Sequence, residues 1–470
     1  MHFNLELYKR SIMRILCFLI FSHAISPLFA QDHKEEPKKL VYYFSNGHFT
    51  GQIRDYTMTT INAGSLRDYY ANAIGASIHY ETLPYKGISV GLNGIFVYRT
   101  FSNDLLAIDS IANSNSRYEI QLFDVEHRGN YTDLDRLEEL YLKYETKKIT
   151  LMYGKMEVES PLVRLHDGRM KPKVFSGFKM EAHHKSHILT GAWFNKSSPR
   201  STTHWYTISQ AIGLYNNGFD ANGQLADYHK QVSSNGLGIL GFELNPKPTI
   251  QLNLWTYYLD NISNSSLIKL DADRDTGLYV GLLYLFQTPV NNGVNNTNQI
   301  YHPNTEQTNL SSARMGYHFR FCDVQSNFTH IFNSGRYLFP REFGVDPSYT
   351  YLPRNQLEGL GNANSFGISG LKKVKAFEIK LDWNRTITDD RASFNKYLQH
   401  SYDQINLDCT YSFENKLDGL DLRFLYIYRR ALDNDIPLSD QINSLNFSQL
   451  NLVANFNFAA SLHSEHHDHK

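Results

Sequence analysis

The densest group of side chains able to do chemistry lies in Ser160–Ser176, where Arg164, His166, Asp167, Arg169, Lys171 and Lys173 set five potential cations against one acid. Such a segment favours anionic groups. Arginine reads a carboxylate best, because its planar fork donates two parallel hydrogen bonds. Asp167 would hold Arg164 or Arg169 in place. A second group, Asn333–Gly359, carries Arg336, Arg341, Glu342, Asp346 and Arg354 among Phe339, Phe343, Tyr349, Tyr351 and the prolines 340, 347 and 353. It is too greasy and stiff for a free loop and should pack against something. Both groups have a plainer alternative: a solvated loop for the first, internal salt bridges for the second.

Catalytic readings find little support. No spacing sets a nucleophile beside a base, and Ser45-Asn-Gly-His48 alone is a weak signal. There is no phosphate-binding glycine loop and no zinc-ligand spacing, so neither cofactor nor metal is expected. The tail His463-Ser-Glu-His466-His467-Asp-His469 could take a divalent ion weakly, but without a fixed scaffold it reads as a solvated end. His183, His184 and His187 sit at a turn and read as rim residues. Cys322 and Cys409, the two cysteines beyond the leader, are too few for a disulfide framework or a four-ligand metal site.

The elements that must position these residues are legible from composition and period. With 31 Tyr and 29 Phe and only 41% hydrophobic residues overall, the chain has to place rings beside many polar groups. Sheets with one greasy and one wet face do that. Residues 1–30 read as an export signal: Lys9, Arg10 and Arg14, an apolar run Ile15–Phe29, and a small-residue cleavage site ending at Ala30. Met13 could serve as an alternative initiator. After it no stretch approaches eighteen apolar residues, which excludes a helical membrane protein. The remaining 43 basic and 46 acidic residues give no reason to expect nucleic acid as a partner.

A two-residue alternation returns along the chain. Leu450, Leu452, Ala454, Phe456 and Phe458 alternate with Asn451, Val453, Asn455 and Asn457; Leu420, Leu422, Phe424, Tyr426 and Tyr428 oppose Asp421 and Arg423. Further examples are Phe377–Trp383, Ile405–Phe413 and Met315–Phe321. Aromatics sit toward strand ends and aliphatics in the middles, as in the girdles of a membrane barrel, while the other face mixes acids and bases like a wet lumen. About sixteen strands are clear and a fainter one lies in Tyr118–Val125, so an even count of 16 or 18 fits. Short turns at Leu83–Tyr85, Thr146-Lys147, Asn245–Pro248 and Glu414–Asp418 alternate with long polar segments at Lys196–Gln231, Phe286–Ser311, Asn333–Gly370 and Thr386–His400. Phase puts Arg314, Arg320 and Arg423 on the lumen wall, since an arginine facing lipid at the midplane costs roughly 2–4 kcal/mol. Arg54 and Arg385 are weaker members. These arginines either form a ladder for carboxylates or pair with Asp408, Glu378 and Asp421.

The stretch RLEELYLKYETKKITLMYGKMEVESPLVRLHDGRMKPKVFSGF at Arg136–Phe178 resembles the OprD-type family of outer-membrane porins. A hairpin ending in Gly154-Lys155 leads into a proline-containing loop with a Gly-Arg-Met step and an aromatic-glycine-aromatic return. FPREFGVDPSYTYLPRNQLEG at Phe339–Gly359 is similar to a long loop of that family, and Gly47–Tyr56 and Leu450–Phe458 fit its first and last strands. The resemblance implies an 18-stranded, usually monomeric barrel in the outer membrane of a Gram-negative bacterium, narrowed by loops folded into the lumen. It also implies arginine-rich walls that guide carboxylate-bearing solutes.

The expectation is therefore an all-β transmembrane antiparallel barrel with long extracellular loops, acting as a diffusion pore without catalysis. Residues 1–30 are the leader, 31–44 a short periplasmic segment, 45–458 the barrel and 459–470 a His-rich tail. The constriction and wall candidates are Arg164, Asp167, Arg169, Lys171, Arg314, Arg320, Arg341, Arg354 and Arg423. Expected partners are outer-membrane lipids, the barrel assembly machinery and small solutes. The alternatives are a blocked barrel acting as an adhesin or structural protein, and a barrel hydrolase. A plugged transporter is excluded, because Gln31–Phe44 is far too short for a plug.

Overall fold

The computed structural model describes residues 39–165, 169–273, 276–290 and 296–461. The leader, His166–Gly168 and the histidine tail lie outside the described residues. A short helix, Leu40–Ser45, precedes the first strand. Among the described residues no helix is long and apolar enough to cross a membrane.

Eighteen of the described strands form the wall. They are β1 (His48–Ile61), β2 (Tyr69–Glu81), β3 (Ile88–Ser102), β4 (Arg136–Glu145), β5 (Ile149–Met156) and β6 (Val174–His184). The middle third is β7 (His187–Ser198), β8 (Leu237–Lys247), β9 (Ile250–Leu259), β10 (Ser263–Ala272), β11 (Gly277–Pro289) and β12 (Thr308–His318). The last are β13 (Asp323–Ile331), β14 (Ala363–Val374), β15 (Phe377–Ile387), β16 (Tyr402–Ser412), β17 (Leu420–Ala431) and β18 (Phe447–Ser461). Each pairs antiparallel with the next, and β18 returns to β1 with Tyr56 opposite Val453 and Phe49 opposite Ala460. Closure leaves no free sheet edge along the wall, so its backbone groups pair mostly with neighbouring strands.

The alternation read from the sequence is the alternation of the wall. In β11, Leu278, Leu282, Tyr284 and Phe286 are exposed outward while Tyr279, Leu283 and Leu285 are buried between them. The outward face of the whole wall is apolar; contiguous greasy surface on this scale belongs in lipid, not water. Aromatics gather at the short-turn rim, where Tyr317 packs on Phe319 at 4.6 Å and Tyr411 on Phe413 at 4.8 Å. The inward face is polar and cross-bonded. Gln449 donates to Thr60 at 2.9 Å and Asn384 to Ser365 at 3.0 Å.

Two strands escape the sequence reading. β10 opens Ser-Asn-Ser-Ser and its outward set begins only at Ile268, so its first half carries no apolar alternation. β14 lies inside the segment expected to be loop, diluted by Gly367 and Gly370. The faint strand at Tyr118–Val125 is instead a single 3₁₀ turn, Glu119–Leu122, whose apolar side packs on β1–β3. Met315–Phe321 is strand only as far as His318. Its last aromatics belong to the rim turn, and β18 carries pairing past Phe458 to Ser461.

Connections on one rim are short; on the other most are long, at residues 103–135, 157–173, 199–236, 332–362, 388–401 and 432–446, although only 260–262 join β9 to β10. The long ones fold inward. Segment 332–362 touches the wall at β10, β11, β12 and β16: Tyr349 donates its hydroxyl to Asp271 at 2.7 Å and its amide to Ser312 at 3.0 Å. Gln287 makes paired 2.9 Å bonds with the Leu338 backbone, and Gln404 reaches Pro353 O at 2.8 Å. The greasiness seen in the sequence is spent here. Phe339 packs edge-on against Tyr257 and Phe343 against Phe175, inside a core that loops and wall share.

Candidate functional site

Three of these inward loops converge on one glutamine. Gln121, from segment 103–135, accepts from Arg169 of segment 157–173 and, at 3.1 Å, from Arg200 of segment 199–236. Arg136 on β4 fixes the latter two loops. Buried and ion-paired with Glu138 at 2.7 Å, it donates to Pro172 O at 2.6 Å and to Pro199 O at 2.9 Å. Segment 332–362 closes the ring, with Val345 N bonded to Leu162 O at 2.9 Å and Lys173 bonded to Gly344 O.

The loops enclose a cavity of about 610 Å³ on the long-loop side. Arg117, Arg128, Arg169, Arg200, Arg341, Arg354, Arg429 and Lys173 line it, with Tyr118, Tyr215 and Tyr351 between them. No aspartate or glutamate is among the described lining residues. Among the described residues, only Arg341 of these arginines has a carboxylate partner, Glu358 at 2.7 Å. The others hold neutral acceptors or lie on ring faces: Arg354 donates to Gln449 at 2.6 Å and covers Tyr118 at 5.0 Å, and Arg429 covers Tyr402 at 4.0 Å.

Beneath it a second cavity, about 350 Å³, opens toward the short-turn rim, bordered by Arg54, Asn93, Glu157 and again Arg169. Arg169 thus stands between the two spaces. It is 3% exposed, its carbonyl accepts from Arg54, and its backbone is left-handed at φ +61°. Arg354 is left-handed too, at φ +70°. A non-glycine residue in that region is strained by about 1–2 kcal/mol, so the surrounding contacts must hold both arginines there.

Electrostatics sharpen the picture. Burial, then the charges of Arg200 and Arg354, push the Arg169 pKa well down. Burial and Arg200 do the same to Lys173. Arginine keeps its proton regardless. Cations crowded together, all but Arg341 without a carboxylate partner among the described residues, therefore gain from any anion that enters, and a carboxylate can accept two bonds from one guanidinium. Glu157 is pushed up to about 7 by burial and by Glu139, so the lower cavity carries a group that titrates near neutrality.

Comparison with known proteins agrees with this geometry. Residues 111–295 match the family model described as outer membrane porin, OprD family. Over that stretch the chain matches the OprD family of outer-membrane porins, and its closed 18-stranded barrel is the fold of the similar solved structures. No curated protein matches its sequence. Among solved structures the chain is similar to OccAB3 of Acinetobacter baumannii, at 13% identity and a TM-score of 0.69, covering 88% of this chain and 99% of that one. It is also similar to OccK9 (OpdG) of Pseudomonas aeruginosa, at 12% identity and a TM-score of 0.68, covering 89% and 100%. OpdK of Pseudomonas aeruginosa, solved with vanillate, is 14% identical with a TM-score of 0.64, covering 88% and 99%. Porins of that family let small solutes cross the outer membrane.

Of the residues singled out in the sequence, Arg169, Arg341 and Arg354 line the upper cavity. Arg164 stands behind it, bonded to Asp346 O at 3.2 Å and lying on Tyr351. Lys171 is turned into the packing, donating to Leu134 O at 3.0 Å. Arg314 and Arg423 do face the lumen, each paired: Arg314 with Asp271 at 3.0 Å, Arg423 with both oxygens of Asp408 at 2.6 and 2.8 Å. Arg320 is not on the wall. The strand stops at His318 and leaves Arg320 exposed in the turn. Arg385 is exposed and held by Asp403 at 2.8 Å. Asp167 lies outside the described residues. Neither Cys322 nor Cys409 forms a disulfide. The sequence reading misses Arg117, Arg128, Arg200 and Arg429. Arg429 alone had a signal, because it continues the two-residue phase of Arg423.

Proposed function

We propose that this porin passes small carboxylate-bearing anions by diffusion through its loop-constricted, arginine-lined lumen, with no covalent step. The observation that carries this is the upper cavity: seven arginines and a lysine converge there with no acid among the described lining residues. Its volume suits a solute of a few to about a dozen heavy atoms, by the usual range of small-molecule sites. Two guanidinium forks lying on tyrosine rings, Arg354 and Arg429, are rigid enough to read a planar group. The solved complex of OpdK with vanillate, a carboxylate, points the same way. The chain acts here as a monomer whose residues 1–30 are removed on export and whose barrel is inserted by the assembly machinery.

The test is permeation into liposomes carrying the refolded protein, comparing a small carboxylate with its neutral amide and an amine of similar size. The carboxylate should enter fastest. Equal entry for all three would remove the charge preference, and no entry through well-folded barrels would favour a blocked barrel.

A further inference from the structure

On the long-loop side, beside the upper cavity that Val125 and Arg128 line, two loops bring Asp124, His127 and His204 together with one ligand atom of each within 4.8 Å of the others. We propose that these three residues form a binding site for a divalent transition-metal ion of the zinc type, clipping segment 103–135 to segment 199–236.

The site is built rather than accidental. The Asp124 side chain is fully buried. One of its oxygens accepts the backbone amides of Glu126 at 3.0 Å and His127 at 3.2 Å; the other accepts from Thr203 at 3.0 Å. These bonds fix the direction in which the carboxylate points. The second oxygen stands 3.4 Å from His127 Nδ1, close to the edge of about 3.4 Å expected of a tetrahedron with metal bonds near 2.1 Å. The His204 ring lies 5.7 Å from the His127 ring, and both imidazoles are exposed, so a small side-chain rotation completes the set. Thr203 bonds His204 Nδ1 at 2.9 Å, the kind of supporting contact that orients a ligating imidazole. The loops are already tied beside it by Val125 N to Ser201 O at 2.9 Å.

Two imidazoles and one carboxylate select zinc, nickel or copper over calcium and magnesium, which prefer all-oxygen cages. Three protein ligands leave a fourth position for water, or for Glu126, whose carboxylate is 3.9 Å from His127 Nδ1. An ion here would stiffen the two loops that deliver Gln121 and Arg200 to Arg169.

The test uses the full chain with His463, His466, His467 and His469 changed to Ala, since those tail imidazoles would bind the same ions. Calorimetric titration with Zn²⁺ should show one site per chain, weakened at least about tenfold in His127→Ala and in His204→Ala. Both side chains are exposed, so the variants should fold, which unchanged single-channel conductance in metal-free buffer would verify. Micromolar Zn²⁺ should also quieten open-channel current noise, and His204→Ala should abolish that effect. Absence of a saturable site in the tail-substituted protein, or affinity unchanged from the parent in both histidine variants, overturns the proposal. Binding with no change in noise overturns the clip.

Discussion

Arg169→Ala tests the constriction most directly, because this guanidinium borders both cavities. For a solute charge passing about 6 Å away, a unit charge contributes about 0.7 kcal/mol at the permittivity of water and about 2.8 kcal/mol at an effective value of 20. Screening over a Debye length of about 8 Å removes roughly half of that. What remains, about 0.3–1.3 kcal/mol, favours an anion and penalises a cation alike, so the anion-over-cation permeability ratio should fall by roughly threefold to eightyfold. The assay is the reversal potential of reconstituted channels under a salt gradient. Two companions separate charge from folding: Arg169→Gly relaxes the left-handed backbone while removing the charge, and Arg169→Lys restores the charge without the fork. The glycine variant should lose selectivity like alanine. Lysine should recover the permeability ratio for chloride but not the preference for carboxylates. A ratio unchanged in both neutral variants, with barrels intact by heat-modifiable gel mobility, refutes the reasoning.

Three further outcomes follow from the same geometry. Glu157, with its pKa raised to about 7, is neutral below that and charged above; anion preference should therefore decline as pH rises from about 6 to 8, and stay flat in Glu157→Gln, by reversal potential. Glu358→Gln strips the carboxylate from buried Arg341 and Lys396, and breaking such a pair should destabilise the inner loop by about 3–5 kcal/mol. Faster proteolysis of segment 332–362 would register it, and an unchanged rate would count against the pairing. Arg423→Ala with Asp408→Ala removes a neutral pair, so selectivity should match wild type; a shift comparable with Arg169→Ala would mean that the wall, not the loops, sets the field.

The wall was legible because lipid on one side and water on the other impose opposite demands at every second residue. Where that demand weakens, so does the signal: β10 begins in serines near the long-loop rim, and β14 has a glycine on each face, Gly367 inward and Gly370 outward. The Tyr118–Val125 alternation misleads for a related reason, since a loop buried inside the lumen also needs one greasy side. Arg320 was misplaced because rim aromatics such as Phe319 and Phe321 extend the pattern past the last paired residue. Site residues divide the same way. Arg429 sits on a strand and inherits its phase, whereas Arg117, Arg128 and Arg200 owe their places to how long loops settle against each other. No local spacing encodes that.

The seam between β1 and β18 has a kinetic consequence. Every other wall contact joins neighbours in sequence, as along a chain of hairpins, whereas His48 meets Ser461 only after the whole intervening polypeptide is in place. Contacts of such separation are formed late, because the entropy of closing the loop is lost before the contact is gained. Until the seam shuts, two strand edges stand open side by side, each a template for the other or for a foreign strand. The seam, as at Gly51 beneath the Phe458 ring, is accordingly where a mutation would slow maturation of the barrel while leaving the finished pore unchanged.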